Sequence, residues 1–174
     1  GEESEAASLL HKIMADLADH PQEPIYGLVN MQEVQDIVEL AAMNDNFQTV
    51  DAMISHLDTE ALEMLDTASL LQHGVSVGTE NSDVVFDFAG EHEAIIGHDG
   101  NDTLIGGEGD TALFGGDGND FVYDIFGAGN DTISGGDGAD YLYGGMGADT
   151  FVFREGETGT DTITCFLSFY KPGL

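Results

Sequence analysis

A chain of 174 residues with 34 acids against Lys12, Arg154 and Lys171 carries a net charge of −31. Phosphate backbones and anionic bilayers repel such a surface, which excludes nucleic acid as a partner. Cys165 is the only cysteine, so no intramolecular disulfide forms, and no run approaches the roughly eighteen apolar residues that would insert in a membrane. No signal-peptide pattern precedes the first helix, and a start at Gly1 without Met reads as a fragment of a longer chain.

In chain order, residues 4–20 set Ala6, Leu9, Leu10, Ile13, Met14 and Leu17 at helical spacing until Pro21 and Pro24 end the helix. A second helix opens at Asn30, where Glu33 completes a capping-box pattern, and buries Met31, Val34, Ile37, Val38 and Ala41. Asn44 to Asn46 interrupt it. A third helix is predicted from Phe47 to His56 and a fourth from Thr59 to about Leu71, stopped by Gly74. The methionines of this half read as core filler and its histidines, which lack metal-binding spacing, as surface or capping residues. Four short helices offer too little wall for an active site, so no enzyme is expected.

Composition changes at Gly74, before which only Gly1 and Gly27 occur. The expected boundaries follow: a helical domain over 1–73, a glycine-rich array over 74–164 and a tail over 165–174. Within the array one phrase, G-G-x-G-x-D-x-U-x with U apolar, returns as GHDGNDTLI from Gly97, then GGEGDTALF and GGDGNDFVY. After the extra pair Asp124-Ile125 it resumes as FGAGNDTIS, GGDGADYLY and GGMGADTFV. The glycines permit a tight turn, and the last three positions alternate as a strand does. The apolar set Leu104, Leu113, Val122, Ile133, Leu142 and Phe151 is therefore the inner core of a flattened parallel coil, two phrases to the coil. The fold class is α+β, a small helical cluster followed by a parallel β-solenoid. Gly78–Phe86 and Phe88–Ile96 keep the register imperfectly, with Glu93 where Asp is expected, and read as a capping coil. GETGTDTIT from Gly156 is a last half-kept phrase with Asp161.

Stacking at this period brings the Asp of one phrase beside that of the phrase one coil away, and a cation must neutralise the pair. Turn carbonyls with carboxylates make an all-oxygen nest suited to Ca2+, whereas Mg2+ demands stricter octahedra and zinc wants His or Cys. On one side the candidate metal residues are Asp99, Gly100 and Asp102, then Gly115, Gly116, Asp117, Gly118 and Asp120, then Gly135, Gly136, Asp137, Gly138 and Asp140. On the other they are Gly106, Gly107, Gly109 and Asp110, then Gly127, Gly129 and Asp131, then Gly144, Gly145, Gly147 and Asp149. Full sites are expected between the turns at 97 and 115, 115 and 135, and 126 and 144. The pair 106 and 126 is expected to be weaker, because Thr111 replaces the Asp and only Asp110 is at hand. About four to six Ca2+ ions fit this count of turns. Self-repulsion of the bare chain further couples folding to metal uptake.

The two outer faces differ in composition. One carries Phe86, Ile105, Phe121, Tyr123, Tyr141 and Tyr143, and the helices are expected to dock on it. The other is flat, with Ala94, Ala112, Thr132 and Thr150.

The nonapeptide phrase resembles the repeat of the RTX (repeats-in-toxin) proteins over residues 78–164. That resemblance implies a calcium-loaded β-roll in a secreted bacterial protein, exported through the type I secretion machinery and folding on meeting calcium outside. Helices followed by a short array look most like the C-terminal region of a large biofilm adhesin at the cell surface. Two alternatives are the calcium-dependent tail of a secreted hydrolase or toxin, and a roll that binds ice or a glycan on its flat face. Asp149–Phe153 and Asp161–Thr164 resemble the segment that closes such arrays, although Cys165 stands where an acid is usual.

Overall fold

The computed structural model describes residues 31–57, 59–86, 93–125 and 128–164. The helix expected over 4–20 and the tail from Cys165 lie outside them. Helix α1 (Met31–Met43) buries Val34, Ile37, Val38 and Ala41, the stripe its periodicity predicts. It stops as Asp45 enters the left-handed region at φ 53°. The Asn46 side chain then accepts from Thr49 N and caps α2 (Phe47–Ile54). The single helix expected from Thr59 is instead two, α3 (Thr59–Met64) and α4 (Thr67–Gln72). Asp66 breaks it, accepting from Ser69 N at 3.0 Å to cap α4, while its own backbone N–H donates to Gln35 Oε1 at 2.8 Å. A side chain thirty-one residues away thus holds the corner open. Gly74 ends α4 at φ 74°. Among the described residues no helix is long and apolar enough to cross a membrane.

Beyond Gly74 the described residues form ten strands that alternate between two parallel five-stranded sheets. The first sheet holds β1 (Val75–Val77), β3 (Glu93–Asp99), β5 (Thr111–Asp117), β7 (Thr132–Asp137) and β9 (Thr150–Phe151) in that order. The second holds β2 (Val84–Phe86), β4 (Thr103–Ile105), β6 (Phe121–Tyr123), β8 (Tyr141–Tyr143) and β10 (Thr162–Thr164). Between them lies a core of Ile95, Leu104, Leu113, Val122, Ile133 and Leu142, with Val85 and Phe151 packed at its ends. The apolar position of the repeat does what its period requires. The sequence left β1 unassigned, since Val75–Val77 precedes any recognisable phrase.

A second core joins the helices to the roll, and it forms on the face opposite to the one expected. Val75, Ala94, Ile96, Ala112 and Phe114 of the first sheet pack with Val34, Val50, Met53, Ile54, Leu57 and Leu70 of the helices. The aromatic face of the second sheet stays exposed, with Phe86 at 54%, Tyr141 at 48% and Phe121 at 43%. Its rings cover one another instead: Phe121 stacks on Tyr141 at 5.3 Å and on Tyr123 at 6.0 Å. The small side chains of Ala94 and Ala112 let helices approach closely, which a row of stacked rings does not. The same packing buries Ala94 and Ala112, so that half of the flat face conceived as an ice or glycan platform is covered by the protein itself, while Thr132 is half-buried and Thr150 exposed.

Two polar clasps reinforce the seam. His98 Nε2 lies 3.1 Å from the Leu57 carbonyl oxygen. Asp51 of α2 is buried and pairs with Arg154, whose guanidinium lies 6.0 Å from the centre of the Phe114 ring. Burial pushes the Asp51 carboxyl above the usual range, and the Arg154 charge opposes that shift.

Candidate metal centre

The turns between sheets stack at two corners of the roll. One corner is built from 97–102, 115–120 and 135–140, and the other from 106–111, 128–131 and 144–149. Close approach explains the glycines. A Cβ on Gly118, which sits at φ 140°, would lie 1.6 Å from the carbonyl oxygen of Gly100 in the coil before. Carbonyl oxygens of one coil therefore face bare backbone in the next. His98 stands in the second-glycine place at φ 81°, and its buried ring reaches Leu57 of the helical part.

Each repeat Asp divides its carboxylate in the same way. Oδ1 accepts from the backbone N–H of the equivalent residue one coil earlier: Asp102 from Asp83 at 2.7 Å, Asp120 from Asp102 at 2.7 Å, and Asp140 from Asp120 at 2.8 Å. At the other corner Asp131 accepts from Thr111 at 2.9 Å and Asp149 from Asp131 at 3.2 Å. Oδ2 turns inward. In Asp102, Asp120, Asp131 and Asp140 it is buried and meets no hydrogen-bond donor. In Asp102, Asp120 and Asp140 this oxygen points at the first glycine of its own turn. A Cβ on Gly115 would lie 2.3 Å from Asp120 Oδ2 and 2.4 Å from the Gly135 carbonyl oxygen, and Gly97 and Gly135 form similar cradles with Asp102 and Asp140. At the second corner Gly144 stands in the same relation to Asp149.

Electrostatics follow from that burial. Desolvation, and then repulsion from Asp140, Asp102 and Asp117, pushes the Asp120 carboxyl up to about 7 against the hydrogen bond from Asp102 N. Burial also raises Asp131 to about 7 and Asp140 to about 6, and raises Asp102 and Asp117. Asp99, Asp117 and Asp137 form a row in register along the extended ends of β3, β5 and β7. Asp137 there accepts from Thr158 N and Oγ1.

The donor set fits calcium. Among the described residues no three His, Cys, Asp or Glu side chains converge on one metal position, so an ion here draws most of its ligands from main-chain carbonyls. Oxygen-only nests with one or two carboxylates match Ca2+ and offer zinc nothing. The capping coil differs: Asp83 Oδ2 already accepts from Thr79 N and Oγ1, so protein groups fill the role an ion would take. Asp110, considered as a substitute for the carboxylate missing at Thr111, lies at the exposed rim and accepts from Asn130 N at 2.7 Å. Gly107 is buried in that turn, Gly109, Gly129, Gly145 and Gly147 shape the same corner, and Gly127 lies outside the described residues. Sequence reasoning missed Asp124, which is fully buried and directs Oδ2 to the Gly106 cradle.

These shifts have a sign. An Asp whose folded pKa is raised keeps its proton in the fold after the unfolded chain, near 3.8, has lost it. Its protonated form therefore supports the metal-free fold fully below that value, and the support is lost as pH rises through about 6 to 7. Calcium binding at about pH 6 should accordingly displace protons. Calorimetry in buffers of different ionisation heat should show that release shrinking towards about pH 8. A binding heat independent of buffer at the lower pH would contradict the assignment.

Residues 89–122 and 127–152 match the family model of the RTX calcium-binding nonapeptide repeat, in four copies. No curated protein and no solved structure matches the chain. The matched segments coincide with the stacked turns and their inward carboxylates, and the chain thus carries the calcium-binding RTX repeat, wound into a parallel β-roll with helices packed on one of its sheets.

Proposed function

We propose that this RTX module, of a kind typical of secreted proteins, is a calcium-driven folding unit of a type I-secreted bacterial surface adhesin. The observation that carries this reading is the column of buried carboxylate oxygens without donors, in a chain of net charge −31. Without a cation they repel. With Ca2+ between the turns at 97 and 115, 115 and 135, and 126 and 144, each inward oxygen gains a ligand bond and each turn carbonyl a partner. Extracellular calcium modules bind at about 10⁻⁴ to 10⁻³ M. The chain would thus stay unfolded in the cytosol, pass the secretion machinery and fold outside. About four to six ions would load the two corners. Within the helical segment taken as 1–73, the helices of residues 31–72 ride on the array of 74–164 as part of one unit with a structural and not a catalytic task.

Circular dichroism in EGTA, Mg2+ and Ca2+ tests the folding claim. A β-sheet spectrum is expected with Ca2+ alone, and one unchanged by EGTA would sink it. The complete reading frame tests the parent: tandem Ig-like repeats upstream support an adhesin, and a catalytic domain there would assign the module to a secreted hydrolase or toxin.

A further inference from the structure

At the turn 106–111 the repeat lacks its carboxylate, since Thr111 stands in the Asp position. We infer that Asp124, from the two-residue insertion after β6, supplies that missing carboxylate and, with Asp131, makes the corner at the turn 106–111 a full calcium site. This rests on the calcium reading above.

Register explains how the side chain arrives there. Ile105 pairs with Tyr123 and Tyr123 with Tyr143, so Asp124 aligns with Gly106 before it and Gly144 after it, both first glycines of their turns. The backbone confirms the alignment: Gly106 N donates to Tyr123 O at 2.9 Å, and Asp124 N to Tyr143 O at 2.8 Å. Asp124 thus holds a first-glycine place and sends a side chain through the opening that glycine leaves bare in other turns. A Cβ on Gly106 would lie 2.6 Å from Asp124 Oδ2, much as one on Gly97 would lie 2.4 Å from Asp102 Oδ2. Thr111 offers only its methyl carbon there, at 3.2 Å. The two added residues divide by polarity, Asp124 fully buried and Ile125 half exposed.

A second, independent oxygen points to a ligand at the same corner. Asp131 is 1% exposed, its Oδ1 is taken by Thr111 N, and its Oδ2 has no donor. Asp124 is the strongest negative neighbour of Asp131, ahead of Asp149. Two carboxylates buried together beside turn carbonyls call for a divalent, oxygen-seeking cation. An insertion that looks like damage to the repeat then compensates for the substitution in the turn one coil earlier.

Calcium stoichiometry of the full chain, by native mass spectrometry and equilibrium dialysis, tests this. Asp124→Asn should bind one Ca2+ fewer than the parent, whereas Glu108→Gln, which removes an exposed carboxylate of the same turn, should bind the parent number. Thr111→Asp added to Asp124→Asn should restore the lost ion, and Thr111→Asp alone should add none. Unchanged stoichiometry in Asp124→Asn, a loss in Glu108→Gln, or a gained ion in Thr111→Asp alone would each overturn the inference. If Asp124→Asn does not fold, the Thr111→Asp single variant still decides. No calcium bound by the parent chain would instead overturn the calcium reading itself.

Discussion

Phe114→Ala should loosen the whole helical segment while leaving calcium-driven β-structure in place. The ring is 1% exposed and projects from β5 into the core shared with α1 and α2, under the Arg154 guanidinium. Truncating a buried Phe costs about 3 to 5 kcal/mol, combining lost transfer energy with the cavity left behind. Helices of six to thirteen residues have no stability of their own to set against that loss. The inter-sheet core of Leu104, Leu113, Val122, Ile133 and Leu142 lies on the other side of the sheet and is untouched. Hydrogen exchange should therefore accelerate across residues 31–72 and change little in β4, β6 and β8. Tyr123→Ser with Tyr143→Ser, on the opposite face, should change the exchange of residues 31–72 by at most a small factor, because among the described residues the helices pack on the other sheet. Equal acceleration in the two variants would place the helices wrongly.

Asp120→Asn should act with opposite signs on the two states of the roll. Asp120 is flanked by Asp102 and Asp140, and burial with their repulsion lifts its pKa to about 7. An amide keeps an oxygen for Asp102 N and removes the charge, so the metal-free protein should be slightly more stable. The loaded protein loses a ligand that two neighbouring cradles feel. A midpoint raised about tenfold corresponds to roughly 1.4 kcal/mol, well within the range for a charged oxygen ligand. Thr111→Ala should shift the midpoint far less, since the Thr111 tie to Asp131 runs through its backbone N–H. Calcium titrations followed by circular dichroism compare the variants directly, and matching midpoints would contradict the difference between the corners.

What the sequence disclosed is what repeats in it. A nine-residue period with one apolar place predicts both sheets, their parallel register and an inner core at Leu104, Leu113 and Val122. The inward carboxylates of Asp102, Asp120, Asp131 and Asp140 follow from the same phrase. Features fixed by single, distant partners were illegible: Gln35 holding Asp66 and splitting a helix, or Thr79 closing the capping coil on Asp83. Asp124 was read only as part of an extra pair between phrases, because register, and not the local phrase, places it. The docking face was misjudged because the aromatic rings were weighed as hydrophobic area alone. Stacked rings satisfy one another at a surface, while two alanines in a row offer the smooth ground on which a helix can lie close.

The alternation of strands between two unlike sheets constrains how such an array can change length. Equivalent aspartates one coil apart, such as Asp102 and Asp120, are separated by eighteen residues. Duplication or loss of a whole coil leaves every downstream strand on its own sheet. Loss of a single nonapeptide has another outcome: each later strand moves across the roll, bringing Phe121 and Tyr141 under the helices and exposing Ala112 and Phe114. Slippage in the coding sequence is thus tolerated by parity, in even numbers of phrases, and a genome that trims or extends this array should be found to do so two repeats at a time.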